Sequence, residues 1–370
     1  MPKTIPLPRV CRILLLFICL FASRLCLAQP QTENQLWPIE KDGKSGFIDS
    51  TGKVVIAPQF DSVSGFSEGL ALVTRKGKKF FIDPSGRTVF EANFDIVGNF
   101  SEGVAVVNIG ETRIAHIGLI DKPGKWGYID KTGKLVIPMK FTHAEGFSEG
   151  LAAIRDGDRG AFIDHGGKIV FEVPLDVTLG FHEGIAGVLY RGTLAYFDRT
   201  GKQISPPLGY SASNNSFSEG LVPVQIKEQY GFMDRTGKLV IAPQFVGAED
   251  FREGLAPVRV HSEETTWCPS EPSGSRKGFT NKWGFIDKTG KFIIPPQYES
   301  VSPFSEGLAA IDNCDEAFFI DQTGKKIVLG NFSFVSSFFG GVSRVNIGTG
   351  RDQAWGYIDR SGKMIWGPTR

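Results

Sequence analysis

The sequence predicts an all-β fold, a tandem array of about nine three-stranded antiparallel meanders wound into an open, curved superhelix. Three observations carry this. A turn motif recurs nine times, a second motif follows in phase with it, and the strand-like runs between them never reach helical length. Self-similarity at a fixed period means that each unit buries its apolar face only against its neighbours.

The turn motif is Asp-x-x-Gly-(Lys/Arg). It occurs at Asp49 and Gly52, Asp83 and Gly86, Asp130 and Gly133, Asp164 and Gly167, Asp198 and Gly201, Asp234 and Gly237, Asp287 and Gly290, Asp321 and Gly324, and Asp359 and Gly362. Its chemistry is that of a hairpin. The aspartate accepts a hydrogen bond from the backbone two residues on, and the glycine supplies the positive φ that a type I turn with a following bulge requires. Successive aspartates are 34, 47, 34, 34, 36, 53, 34 and 38 residues apart.

Each aspartate is preceded by an aromatic-rich run, as in Trp126-Gly127-Tyr128-Ile129, and followed by a β-branched run, as in Lys134-Leu135-Val136-Ile137, which a proline such as Pro138 closes. About nineteen residues after most aspartates comes Phe-x-Glu-Gly, with glutamates at Glu68, Glu102, Glu149, Glu183, Glu219, Glu253 and Glu306. A third run follows it, as in Leu151-Ala152-Ala153-Ile154. The expected unit is a meander ordered third, first, second. Insertions concentrate at residues 108–122, 261–282 and 346–354, which places them at one end or face of the array.

A closed, propeller-like ring is the alternative to the open array. Nine units exceed the four to eight blades typical of propellers, and the chain ends lack the split blade that often closes one.

Residues 1–28 read as a signal peptide. Lys3, Arg9 and Arg12 precede the apolar run Ile13–Ala22, and Cys26-Leu27-Ala28 suits cleavage before Gln29. A short linker, 29–35, then leads into a single repeat domain over 36–370. The expected location is exported: periplasmic, cell-surface or secreted, with membrane attachment only if the leader is retained. The leader holds four of the 41 basic residues and no acidic one, so the remainder carries a charge near −3. That balance is not one for nucleic acid. Of five cysteines only Cys268 and Cys314 remain after cleavage, and a disulfide between them is expected to tie down the 261–282 loop.

The runs Lys125-Trp126-Gly127-Tyr128-Ile129-Asp130-Lys131-Thr132-Gly133-Lys134 and Lys282-Trp283-Gly284-Phe285-Ile286-Asp287-Lys288-Thr289-Gly290-Lys291, with Phe-Ser-Glu-Gly-Leu-Ala downstream, resemble the WG-repeat family of bacterial β-rich repeat proteins. Only the units at Trp126, Trp283 and Trp355 keep the Trp-Gly pair. The resemblance implies tandem β-units, often exported, with no shared catalytic activity and no catalytic residues to carry over.

Candidate chemistry is sparse. The aspartates are read as structural turns rather than calcium ligands, since Ser or Thr fills the alternate position in eight units and Gly166 in the ninth. The repeated glutamates are read as turn caps or as partners of the periodic basic residues, and the basic ladder from Lys53 to Lys363 as solvated strand-end charge. No catalytic set, cofactor site or metal site is expected. Trp267, in the polar 261–282 insertion, is the one candidate ligand contact. The expected function is a non-catalytic binding or scaffold protein that presents a repeat surface and loops to a protein or glycan partner. A polysaccharide-active enzyme and a purely structural envelope spacer are the alternatives.

Overall fold

The computed structural model describes residues 35–369 apart from 111, 114–119, 123, 175–176, 191–192, 205–209, 212–215, 263–279, 314–315, 328–329 and 349–353. It is all-β, and no helix of the described residues is long and apolar enough to cross a membrane. Among the described residues nine small antiparallel sheets, besides one two-stranded ribbon, follow one another along the chain from Leu36, each one blade of a nine-bladed β-propeller.

The fourth blade shows the plan. Strand a is His143–Ala144, strand b Ala152–Asp156, strand c Arg159–Ile163 and strand d Ile169–Val173, paired in that order. Strands b, c and d are the third, first and second runs of the sequence motif. Strand a was not expected. It precedes Phe-x-Glu-Gly, or runs into it in the third and fifth blades (Ile96–Ser101, Val177–His182), and in the other blades that show it the two residues are too few to show a period of two. Seven blades have all four strands, so the three-stranded unit is corrected to four. Among the described residues the first blade shows strands b, c and d (Trp37–Lys41, Lys44–Ile48, Val54–Phe60) and the eighth strands a, b and c.

The Trp-Gly glycine has a mechanical role in this plan. A Cβ on Gly127 would stand 2.6 Å from the Ile137 carbonyl oxygen, and one on Gly284 2.6 Å from that of Ile294. Strand d bulges toward strand c at that point, so that Trp283 pairs with Tyr298 but Phe285 pairs with Ile294. Where the glycine is replaced by Phe80 or Ala161, strand d is the shorter Thr88–Glu91 or Ile169–Val173.

The core lies between blades rather than within them. Nine apolar clusters are found among the described residues, one per seam. The third and fourth blades, for example, share Trp126, Tyr128 and Ile137 with Phe147, Ala152 and Ile163. The ninth cluster decides the architecture. Trp37, Ile39 and Ile48 of the first blade pack with Val342 and Tyr357 of the last, flanked by Trp355, Ile365 and Trp366. The Tyr357 hydroxyl also donates to the Pro38 carbonyl at 2.9 Å. The ring is closed, and the open superhelix is corrected to the propeller alternative. No split blade is needed, because each terminal blade offers an apolar face and burial of the two against each other is itself favourable.

Candidate functional site

An antiparallel meander puts its a–b and c–d turns on one face of the ring, and its b–c and d–a connections on the other. The first is here the turn face and the second the loop face.

On the turn face each motif aspartate is spent on its own turn. Asp130 Oδ1 accepts the Thr132 N–H at 2.9 Å, the Thr132 hydroxyl at 2.6 Å and the Lys134 N–H at 3.0 Å. Gly133 has φ +85° and donates to the Asp130 carbonyl. The Thr132 hydroxyl, outweighing a small desolvation, holds the Asp130 carboxyl below its ordinary range, and at Asp83 the Ser85 hydroxyl, with Arg87 assisting, lowers it to about 2. All nine aspartates make the same backbone bonds, and Asp164 makes them without a hydroxyl, since Gly166 stands at that place. The basic ladder after the glycines is exposed on the rim.

The glutamates work across the seams. Glu-Gly is a two-residue hairpin turn with positive φ at both positions, 50° at Glu68 and 83° at Gly69, closed by the Ser67–Leu70 pair. The Glu68 carboxylate accepts the N–H groups of Glu102 and Gly103 in the next blade and pairs with Lys131 of that blade at 3.1 Å. The link repeats from blade to blade: Glu149 with Arg199, Glu183 with Arg235, Glu219 with Lys288, Glu306 with Arg360. Burial raises the Glu183 carboxyl's pKa, but Arg235 and the Gly220 and Glu219 N–H groups outweigh it and bring the net value below normal. The glutamate partner is therefore the residue directly after the aspartate, one blade on, and not the ladder from Lys53 to Lys363. Serine hydroxyls and phenylalanine rings complete the joint: Ser67 donates to the Phe100 carbonyl at 2.6 Å, and Phe147 packs edge-on to Tyr128 of the preceding blade at 5.0 Å. These repeated groups are joinery.

The loop face is less uniform. Its three longest b–c connections lie between Ile109 and Lys125, Ser262 and Thr280, and Ile347 and Ala354. They belong to the third, seventh and ninth blades, the three that keep Trp-Gly. Within the first of them Thr112–Arg113 pairs with Ile120–Lys122 as a short antiparallel ribbon. At the roots of the loops, His143 meets Trp126 edge-on at 5.3 Å, Arg259 lies over Trp283 at 5.5 Å and Arg344 over Trp355 at 4.7 Å. Lys282, only 8% exposed, pairs with Glu299.

One position of strand b forms a polar belt just beneath this face, with Asn108, Arg155, Gln225, Arg259, Asp312 and Asn346. Asn108, Arg155, Arg259 and Asn346 each bury at least one polar atom that has no protein partner, and Trp126 Nε1 is buried in the same way. Buried polar atoms of this kind call for water or a ligand. Burial raises the Asp312 carboxyl above its ordinary range. In the fourth blade Asp158, Arg159 and Glu172 line a shallow depression of about 260 Å³. Trp267 and Cys268, and Cys314 with its expected disulfide, fall outside the described residues.

Sequence reasoning missed one titratable site. Glu249 and Asp250 stand just before Phe251; the fourth blade also has a glutamate at the first place, Glu145, but at the second the other blades carry uncharged residues such as Gly65, Gly146, Pro303 or Ser337. Burial pushes Asp250 up to about 6, opposed by the charges of Arg252 and His182, and its Oδ1 is sealed without a partner. Glu249 is raised by burial and then by the Asp250 charge. The departure from small neutral residues was the available signal. No cluster of three or more His, Cys, Asp or Glu residues able to hold a metal occurs among the described residues.

The repeat described as "WG containing repeat" matches residues 46–79, 80–112, 126–159, 230–262, 283–313 and 318–348, together more than half of the chain. No curated protein matches it. Among solved structures, a eukaryotic initiation factor is 13% identical over 89% of this chain and 94% of its own, with a TM-score of 0.60. Hsv2 of Kluyvelomyces marxianus is 9% identical over 66% of this chain and 85% of its own, at 0.37. The dihydro-heme d1 dehydrogenase NirN is 13% identical over 80% and 72%, at 0.42. The likeness concerns the fold alone and rests on the first of these.

Proposed function

Because this chain belongs to the WG-containing repeat family, we propose that it is an exported, non-catalytic binding or scaffold protein that offers its loop face to a protein or glycan partner. The observation that carries this reading is the placement of the three longest connections. All leave the same face, from the three blades that keep Trp-Gly, above a belt in which Asn108, Arg155, Arg259 and Asn346 bury polar atoms without protein partners. The turn face, by contrast, spends its carboxylates on turns and seams. Loops on a rigid scaffold are where binding residues concentrate.

Export rests on residues 1–28, and the N-terminal sequence of protein recovered from the envelope or medium tests it: it should begin at Gln29. Binding is tested by replacing residues 263–279 with a short Gly-Ser turn and comparing capture from envelope extract and on a glycan array. Loss of a specific partner with the propeller intact supports the reading. Undiminished capture by the shortened protein refutes a loop-face site at that connection.

The enzyme reading has one foothold, the Glu249–Asp250 pair, whose proton affinity burial raises. Polysaccharide hydrolysis that Asp250→Asn abolishes would favour it.

A further inference from the structure

At the loop-face end of a blade three residues, one each from strands b, c and d, stand directly opposite one another, so their side chains share one face of the sheet. In the third blade this row is Asn108, Trp126 and Phe141, and in the seventh it is Arg259, Trp283 and Tyr298. An indole fills the middle of both rows, and Arg259 lies over the second at 5.5 Å. In the fourth blade the same row reads Arg155, Gly160 and Val173. The arginine remains, and the ring is gone.

The surface dips where that ring would stand. Gly160 and Val173 line the depression of about 260 Å³, together with Asp158, Arg159, Glu172 and Pro174. Beside Gly160 in the row, Arg155 buries its Nε without a protein partner. We propose that this hollow is a docking site for an aromatic side chain of a polypeptide partner, tryptophan above all, whose ring stands to Arg155 as Trp283 stands to Arg259.

The chemistry of the hollow selects that occupant. A guanidinium attracts the face of a ring, and an indole more than other rings. Gly160 and Val173 are buried, whereas Asp158, Arg159 and Glu172 are exposed, so the floor is backbone and aliphatic carbon and the rim is charged. An indole N–H covered on binding needs an acceptor, and the carboxylates of Asp158 and Glu172 supply two at the rim. The size favours a side chain over a free ligand. Small-molecule pockets commonly hold about 300–1,000 Å³ and enclose most of their ligand, whereas this hollow is smaller and shallow.

The proposal rests on the loop face being a binding face and names the chemistry of one partner there. The two readings fail separately, because exchanging residues 263–279 leaves the fourth blade unaltered. A protein that loses its partner on that exchange but ignores tryptophan refutes the hollow alone.

The probe is the peptide Gly-Ser-Trp-Ser-Gly with a fluorinated indole, followed by fluorine NMR. Its signal should shift and broaden on addition of the protein, with a Kd of about 1 mM as suits one buried side chain. The unlabelled peptide should displace it, and the alanine counterpart should not. Arg155→Gln, which installs the residue type of Gln225 in the sixth blade, should weaken binding about 2- to 30-fold. Gly160→Trp, which fills the hollow from within, should abolish it while the urea midpoint stays near that of the parent. No binding to the parent, or equal binding by the parent and both variants, would overturn the proposal. Should Gly160→Trp not fold, Arg155→Gln decides alone, and an unchanged Kd refutes the site. Free indole binding more tightly than the peptide would overturn the assignment to a polypeptide.

Discussion

Replacing Asp250 by asparagine should stabilise the protein near neutral pH and leave it almost unchanged at pH 4. The carboxyl sits among the residues that lead into the seventh blade's Phe-Arg-Glu-Gly turn, and burial raises it from 3.8 to about 6. A group whose folded pKa lies above its unfolded value favours the native state only while protonated. Its cost is absent below about pH 4, grows as pH rises to about 6, and is constant beyond. Roughly two units correspond to about 3 kcal/mol as a ceiling. Part of the side chain remains in water, so about 1–2 kcal/mol is the expected gain.

Asparagine brings an amide that must itself be satisfied where Oδ1 now has no partner, at up to about 1–3 kcal/mol. Asp250→Ser, which installs the residue type of the equivalent Ser337 in the ninth blade, is therefore run beside it. The assay is urea unfolding at pH 4.0 and 7.5, read by tryptophan fluorescence. At least one variant should raise the midpoint at pH 7.5 and not at pH 4.0. Midpoints lowered by similar amounts at both pH values in both variants would show that ionisation of the carboxyl does not oppose folding, and would refute the reasoning.

Three further outcomes follow from the geometry. Gly284→Ala forces a Cβ to 2.6 Å from a backbone oxygen that cannot move without undoing the bulge, and should cost more than about 2 kcal/mol in thermal or urea unfolding. Tyr357→Phe deletes the bond across the closing seam and should cost about 1 kcal/mol, with the loss concentrated, by hydrogen exchange, in the first and last blades. Asp130→Ala should cost about 1–2 kcal/mol at pH 7 through the turn bonds it removes. That difference should shrink in acid titration as pH falls below about 4, because the Thr132 hydroxyl and the Thr132 and Lys134 N–H groups hold the native carboxyl below its ordinary range.

Much of the frame was legible because it is written within four residues at a time. The Asp-x-x-Gly turn is closed by its own backbone and its own hydroxyl, so nine copies could be recognised one by one. Spacing alone put the insertions in the b–c connections. The identity of the glutamate partner was not legible, since Glu68 meets Lys131 across 63 positions and nothing local marks the pair. Strand a hid because in most blades its two residues carry no period, and Asp250 because burial is not a property of sequence spacing.

By itself, then, the sequence determined the units: their number, their turns, their strand order apart from strand a, and the face on which the loops emerge. Whether the units close was decided only in three dimensions. Closure depends on the small rotation from each blade to the next summed around the ring, and on whether the first and last faces fit when they meet. Trp37 and Tyr357 lie at opposite ends of the chain and share one apolar cluster. Burial rewards that meeting only after every seam between them has set its angle.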